Sequence, residues 1–173
     1  MWIAFLRDFN GVTMLVEDAD WFWQVQFFYD AAGAHGFGVF WDGHWAAEAW
    51  PTVWKEAHHS IAFLEFFSLV VALSIWGQTL ANRNVVFNVD NQTAVNLVNC
   101  QKAKDEKVLR LLRLFLLTCL KFSIMFKTRY VPGVNIDIAD ALARLLWRRF
   151  RGLAPGADVQ KTPVPGALWE MGM

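Results

Sequence analysis

The stretch FFYDAAGAHGFGVFW, Phe27 to Trp41, decides how the rest of the chain is read. An apolar run climbs to one carboxylate, Asp30. The chain then turns small through Ala31, Ala32, Gly33 and Ala34, and after His35 it becomes apolar again. Two apolar runs around a Gly-containing turn predict a hairpin, with strands over 25–31 and 36–41. DGH at 42–44 offers a second tight turn into a third strand over 44–49. Three meandering strands are expected, and the first ends on an acid.

Beyond the meander the period changes. Residues 60–80 are long, apolar and free of proline, with Ser60 placed to cap, which predicts a helix buried on most sides. VVFNVD (85–90) is a short β-branched strand that again ends on an acid. A short helix is expected over 91–99, an amphipathic one over 104–122, a strand over 123–131, a loop at PGVN (132–135) and a final helix over 136–151. A strand that follows a crossover helix runs parallel to the first strand. The fold class is therefore α/β, a mixed five-stranded sheet with helices on both faces. The domain organisation expected is an N-terminal arm over 1–24, one domain over 25–151 and a Pro/Gly-containing, irregular or linker-like tail over 152–173. The arm carries Trp2, Phe5, Leu6 and Phe9 at near-helical spacing and reads as a segment that packs on a partner domain.

Composition narrows the function classes. The chain has 173 residues, 55% of them apolar, with 10 Trp and 15 Phe, enough for a large core. Lys plus Arg and Asp plus Glu are 16 each, so net charge predicts neither nucleic-acid nor membrane binding. Cys100 and Cys119 make no disulfide framework and read as core thiols of an intracellular protein, in cytoplasm or nucleus. The N-terminus lacks a signal-peptide pattern. SIAFLEFFSLVVALSIWG (60–77) approaches the length of a membrane span, but Glu65 sits inside it, and a carboxylate in lipid is costly. No membrane partner is expected.

Four acids remain as candidates: Asp30, Glu65, Asp90 and Asp140. Each lies among apolar or small residues, where an acid is expensive unless it is paired or binds a cation. If the strands ending at Asp30 and Asp90 are neighbours, their carboxylates share one cleft edge, where ligands of such sheets bind. A cluster of hard oxygen ligands suits Mg²⁺, and two such ions clamp an in-line phosphoryl displacement. The small residues after Asp30 would then let a nucleic-acid backbone approach. Each acid also has a structural alternative. Asp30 can belong to a turn, Asp90–Asn91 can cap the next helix, Glu65 can pair with a core Arg or His, and Asp140 can sit against a helix dipole. The basic residues Lys102, Lys104, Lys107, Arg110 and Arg113 read equally as phosphate contacts or as a solvated helix face. Arg144, Arg148, Arg149 and Arg151 read as a solvated face. The four histidines read as surface or turn residues without carboxylate partners. Trp41, Trp45, Trp50, Trp54 and Trp76 read as core.

The strings FLRDFNGV, DAAGAHGFGVFW, FLEFF, VDNQTAV, RYVPGVN, IADALAR and TPVPGALW together resemble the ribonuclease H region of DIRS-like, tyrosine-recombinase retrotransposon polyproteins. The resemblance spans nearly the whole chain. It implies a ribonuclease H-like fold and Asp30, Glu65, Asp90 and Asp140 as catalytic metal ligands for two Mg²⁺ ions, with Mn²⁺ as a substitute. It implies endonucleolytic hydrolysis of the RNA strand of an RNA–DNA hybrid, with Asn91, Gln92, Lys102, Lys104, Lys107 and Tyr130 on the substrate side. It also implies a reverse transcriptase domain as partner, which accounts for a chain that starts as if in mid-domain. The chain departs from the family at Tyr130, where the family usually has His, and at Ile136, where it favours Asn. Both bear on turnover. The alternative is an inactive ribonuclease H-like fold that binds nucleic acid or a reverse transcriptase.

Overall fold

A computed structural model describes residues 25–172, and the arm over 1–24 lies outside the described residues. The meander forms as expected: β1 (Val25–Ala32), β2 (Gly36–Trp41) and β3 (His44–Ala49). β2 pairs antiparallel with both neighbours. After a short α1 (Thr52–Glu56), which the sequence reading did not foresee, α2 (Ile61–Trp76) crosses to β4 (Asn84–Val89). β4 lies beside β1 and runs parallel to it. Then come α3 (Gln92–Cys100), α4 (Glu106–Lys121) and β5 (Met125–Tyr130), parallel to β4. The sheet order is β3-β2-β1-β4-β5.

Strand alternation sorts side chains onto two faces. Phe27, Phe37, Val39, Val85 and Phe87 join the main core under α2 and α4. Trp45 and Ala47 face the other way, into a smaller cluster with Leu142 and Phe150. Helices therefore cover both faces. Ser60 caps α2, its hydroxyl accepting from the N–H of Phe63. α2 is buried almost all round, as its apolar run demands, and among the described residues no helix is long and apolar enough to cross a membrane.

The final helix differs from expectation. The single helix read over 136–151 is two: α5 (Asp137–Ala143) and α6 (Trp147–Leu153). Leu145 turns left-handed between them, at φ 59°. The N–H of Leu146 reaches back to the carbonyl of Ala141, a helix-ending pattern in which glycine is the usual residue. Periodicity alone hid the break, because Leu145 carries an ordinary helix former's side chain.

The segment after α6 is irregular but packs on the domain. Leu168 is buried, and Trp169 meets Trp50, Trp54, Phe37 and Phe67 with ring centroids 5.2–6.4 Å apart. The Trp54 indole N–H donates to the carbonyl of Trp169 at 3.1 Å. This stretch is thus no free linker in the described structure. Cys119 is a core thiol, whereas Cys100 is exposed, contrary to expectation, because α3 ends there at the surface. His44 also departs from the reading: its Nδ1 lies 2.7 Å from Asp158, a partner 114 residues away that only the fold brings near.

Candidate active site

Parallel register brings the first two acids level. Pairing of β1 with β4 runs from Val25–Val85 to Phe28–Asn88. Two residues further along the chain from that last pair stand Asp30, still on β1, and Asp90, just past the end of β4, where pairing between these two strands has stopped. Adjacent strands lie about 4.8 Å apart, so both carboxylates share one edge. Glu65 arrives from the second turn of α2. Carboxylate oxygens of Asp30, Glu65 and Asp90 all lie within 4.8 Å of one another. Asp30 and Glu65 are buried, while Asp90 is exposed at the rim.

This crowding governs the electrostatics. Burial, then Asp90 and Asp140, push the Asp30 carboxyl from an ordinary 3.8 to about 6. Burial, then Asp30 and Asp90, push Glu65 from 4.5 to about 9. Asp90 is raised as well, by partial burial first. The backbone N–H of Ala31 pulls both Asp30 and Glu65 back toward ionisation. Like charges in a largely buried cleft disfavour one another's ionisation, so Glu65 of the bare cluster retains its proton at neutral pH. One oxygen of Glu65, Oε2, is buried with no hydrogen-bond partner. Buried polar atoms are almost always paired, so this oxygen lacks the partner that a cation would be. Three carboxylates with an orphaned buried oxygen fit a hard divalent cation of the Mg²⁺ or Mn²⁺ class, held by Asp30, Glu65 and Asp90.

The structural alternatives fare unevenly. Asp90 does not cap α3. Asn91 does, its Oδ1 accepting from the N–H groups of Thr93 and Ala94 at 2.9 and 3.2 Å. Glu65 has no core Arg or His partner among the described residues. Asp140, in contrast, is paired. Its carboxylate accepts from Arg144, which caps the C-terminus of its own helix, and from Arg149 on α6, the latter at 2.8 Å. It lies near enough to raise Asp30 and Asp90, but it is not one of the three converging ligands.

The residues expected on the substrate side are scattered. Asn91 is committed to the cap. Gln92 is exposed and bonds Asn96 at 3.2 Å. Lys102 and Lys104 are exposed and line a shallow groove between the ends of α3 and α4. Lys107 donates instead to the carbonyl of Gly172 at 2.9 Å, tying α4 to the end of the chain. Tyr130 is 49% exposed and pairs in register with Val89, one residue from Asp90. Ile136 is buried, an apolar side chain at the start of α5.

Of the small residues after Asp30, Ala31 and Ala32 are buried, the carbonyl of Ala32 accepting from the indole of Trp50 at 2.9 Å, whereas Gly33 and Ala34 are exposed. The small residue that matters more is Gly38, opposite Asp30, where an added Cβ would stand 2.4 Å from Cβ of Leu142. Its bare backbone lets α5 lie against β2 and sets Asp140 near the cleft. The arginines of the last helices are not simply a solvated face. Arg144 and Arg149 hold Asp140, and Arg151 lies over the rings of Trp45 and Phe150 while donating to two carbonyls.

The sequence reading missed two neighbours of the cluster. The Tyr29 hydroxyl is buried and unpartnered, its ionisation suppressed by burial and then by Glu65 and Asp90. Strand alternation could have flagged it as an inward polar group. Gly133 lies against Asp90, where an added Cβ would stand 3.0 Å from Oδ2. No signal in the sequence joins those two residues.

No protein-family model matches the chain, and no curated protein matches it. Solved structures do. The ribonuclease H1 of the halophilic archaeon Halobacterium salinarum NRC-1 superposes with a TM-score of 0.52 at 14% identity, over 72% of this chain and 97% of that one. The N-terminal RNase H domain of a Mycobacterium tuberculosis protein gives 0.51 at 16%, over 73% and 98%. The LC11 ribonuclease H1, isolated from compost by a metagenomic approach and solved in complex with an RNA/DNA hybrid, gives 0.53 at 15%, over 69% and 93%. The chain therefore has the ribonuclease H-like fold.

Proposed function

We propose that this chain is an endoribonuclease that hydrolyses the RNA strand of RNA–DNA hybrids, with two Mg²⁺ ions, or Mn²⁺, held at Asp30, Glu65 and Asp90 and completed by Asp140. The observation that carries this reading is the convergence of three carboxylates within 4.8 Å around an unpartnered buried oxygen of Glu65. The fold and the neighbour solved with a hybrid support the substrate class. When bound, divalent cations supply a lowered water pKa and charge neutralisation for an in-line phosphoryl displacement. The protein's own part is positional. β1 and β4 fix Asp30 and Asp90 at one height, and α2 fixes Glu65 beside them. Lys102 and Lys104 offer phosphate contacts to the hybrid, Asn91 and Gln92 follow Asp90 directly in the chain, and Tyr130 pairs in register with Val89, the residue before it.

The resemblance to DIRS-like polyproteins supports a retrotransposon origin, with a reverse transcriptase domain as partner and residues 1–24 as the connection to it. A second reading is an inactive fold that binds nucleic acid or that partner. It is favoured by Asp140, which is engaged by Arg144 and Arg149, and by Tyr130 and Ile136 at two family positions.

A labelled RNA–DNA hybrid incubated with Mg²⁺, then with Mn²⁺, decides between them, with Asp90→Asn run beside the parent chain. Cutting that disappears in Asp90→Asn supports the nuclease. Salt-sensitive hybrid binding by folded protein that never cuts supports the binding module.

A further inference from the structure

Asp140 and Arg149 are nine residues apart. On one continuous helix they would stand about 13 Å apart along the axis and on opposite sides. The break at Leu145 reverses this. α6 folds back, and one guanidinium spans two carboxylates of α5: Nη1 donates to Oδ2 of Asp140 and Nη2 to Oδ1 of Asp137, both at 2.8 Å. The backbone carries a cost here, since a leucine at φ 59° sits in a region that side chains with a Cβ avoid. Such strain persists only where surrounding packing holds it. Phe150, the residue after Arg149, supplies that packing: it is fully buried with its ring 4.9 Å from Trp45. The fork is thus aimed by a buried anchor rather than by chance on a mobile side chain.

We infer that Arg149 is a positioning residue that holds Asp140 out of the acid cluster by bridging it to Asp137, so that the bridge competes with a divalent cation for the fourth carboxylate. Arg144 caps the C-terminus of the helix that carries Asp140 and moves with it. Arg149 comes from another helix and ties it down. The cluster is therefore a three-carboxylate site while the bridge is closed, and a four-carboxylate site once it opens. This rests on the metal-site reading given above and adds to it a control on cation affinity.

Calorimetric titration of the full chain with MnCl₂ tests it, with a thermal melt on each protein to verify folding. Arg149→Met should bind Mn²⁺ roughly five-fold more tightly than the parent, the equivalent of losing one partly exposed ion pair. Asp137→Asn, which loosens the fork without touching Asp140, should shift affinity the same way by less. It serves also if Arg149→Met does not fold. In an Asp140→Asn background, Arg149→Met should change nothing, which separates a competition for Asp140 from a general change in charge. Unchanged or weaker binding in both single variants overturns the inference. Glu65→Gln distinguishes the two levels: if it binds Mn²⁺ as the parent does, the metal-site reading itself falls.

Discussion

Glu65→Gln in the metal-free protein gives the most direct physical test of the cluster. Glu65 is 2% exposed, and burial followed by Asp30 and Asp90 raises its carboxyl to about 9. A carboxyl raised by folding leaves the fold most stable where both states are protonated, below the unfolded value near 4.5. Stability is then lost as pH climbs through the folded value near 9. At pH 7 the loss is about 3 kcal/mol, ~1.4 kcal/mol for each pH unit above 4.5. Glutamine keeps the shape and cannot ionise. In chelator the variant should therefore outlast the parent at neutral pH by up to about 3 kcal/mol, less what the unpartnered buried amide costs. The gap should close near pH 4.5 and widen toward pH 9. Urea denaturation at about pH 5, 7 and 9 reads it, and added Mg²⁺ should stabilise the parent and not the variant. Parallel pH profiles for the two proteins, or a variant less stable at neutral pH, would refute the claim that crowding at Glu65 costs the bare fold stability.

Other expectations follow from single contacts. Gly133→Ala places a methyl about 3.0 Å from Asp90 Oδ2 without a backbone penalty, since Gly133 is not left-handed. Cation affinity and hybrid cleavage should drop while the melting temperature barely moves, and an unchanged affinity would place the loop away from the site. Tyr29→Phe removes a buried hydroxyl without a partner and should raise stability by about 1 kcal/mol in denaturation, whereas a loss of that size would reveal a bonded hydroxyl. Trp169→Ala should cost about 3 kcal/mol, because its ring packs among Trp50, Trp54, Phe37 and Phe67. A neutral result would mark the last segment as dispensable.

The sequence by itself determined the five strands and the long helices, the parallel direction expected of β4, and the Ser60 cap, because alternation, helical period and capping are local signals; it left open whether β4 neighbours β1, missed α1 and read the last two helices as one. It also singled out the acids, since a carboxylate amid apolar residues has few inexpensive explanations. Only the tertiary structure decided which acids meet. Register set Asp30 level with Asp90, the crossover of α2 delivered Glu65, and Gly38 let α5 close in. The structure alone also broke the last helix at Leu145 and turned Arg149 onto Asp140, because the packing of Phe150 against Trp45 outweighs the helical preference of the intervening residues. Contacts between residues far apart in the chain, such as Gly133 with Asp90 and Trp169 with Trp54, leave no periodic trace. Their energies arise only once the sheet has assembled.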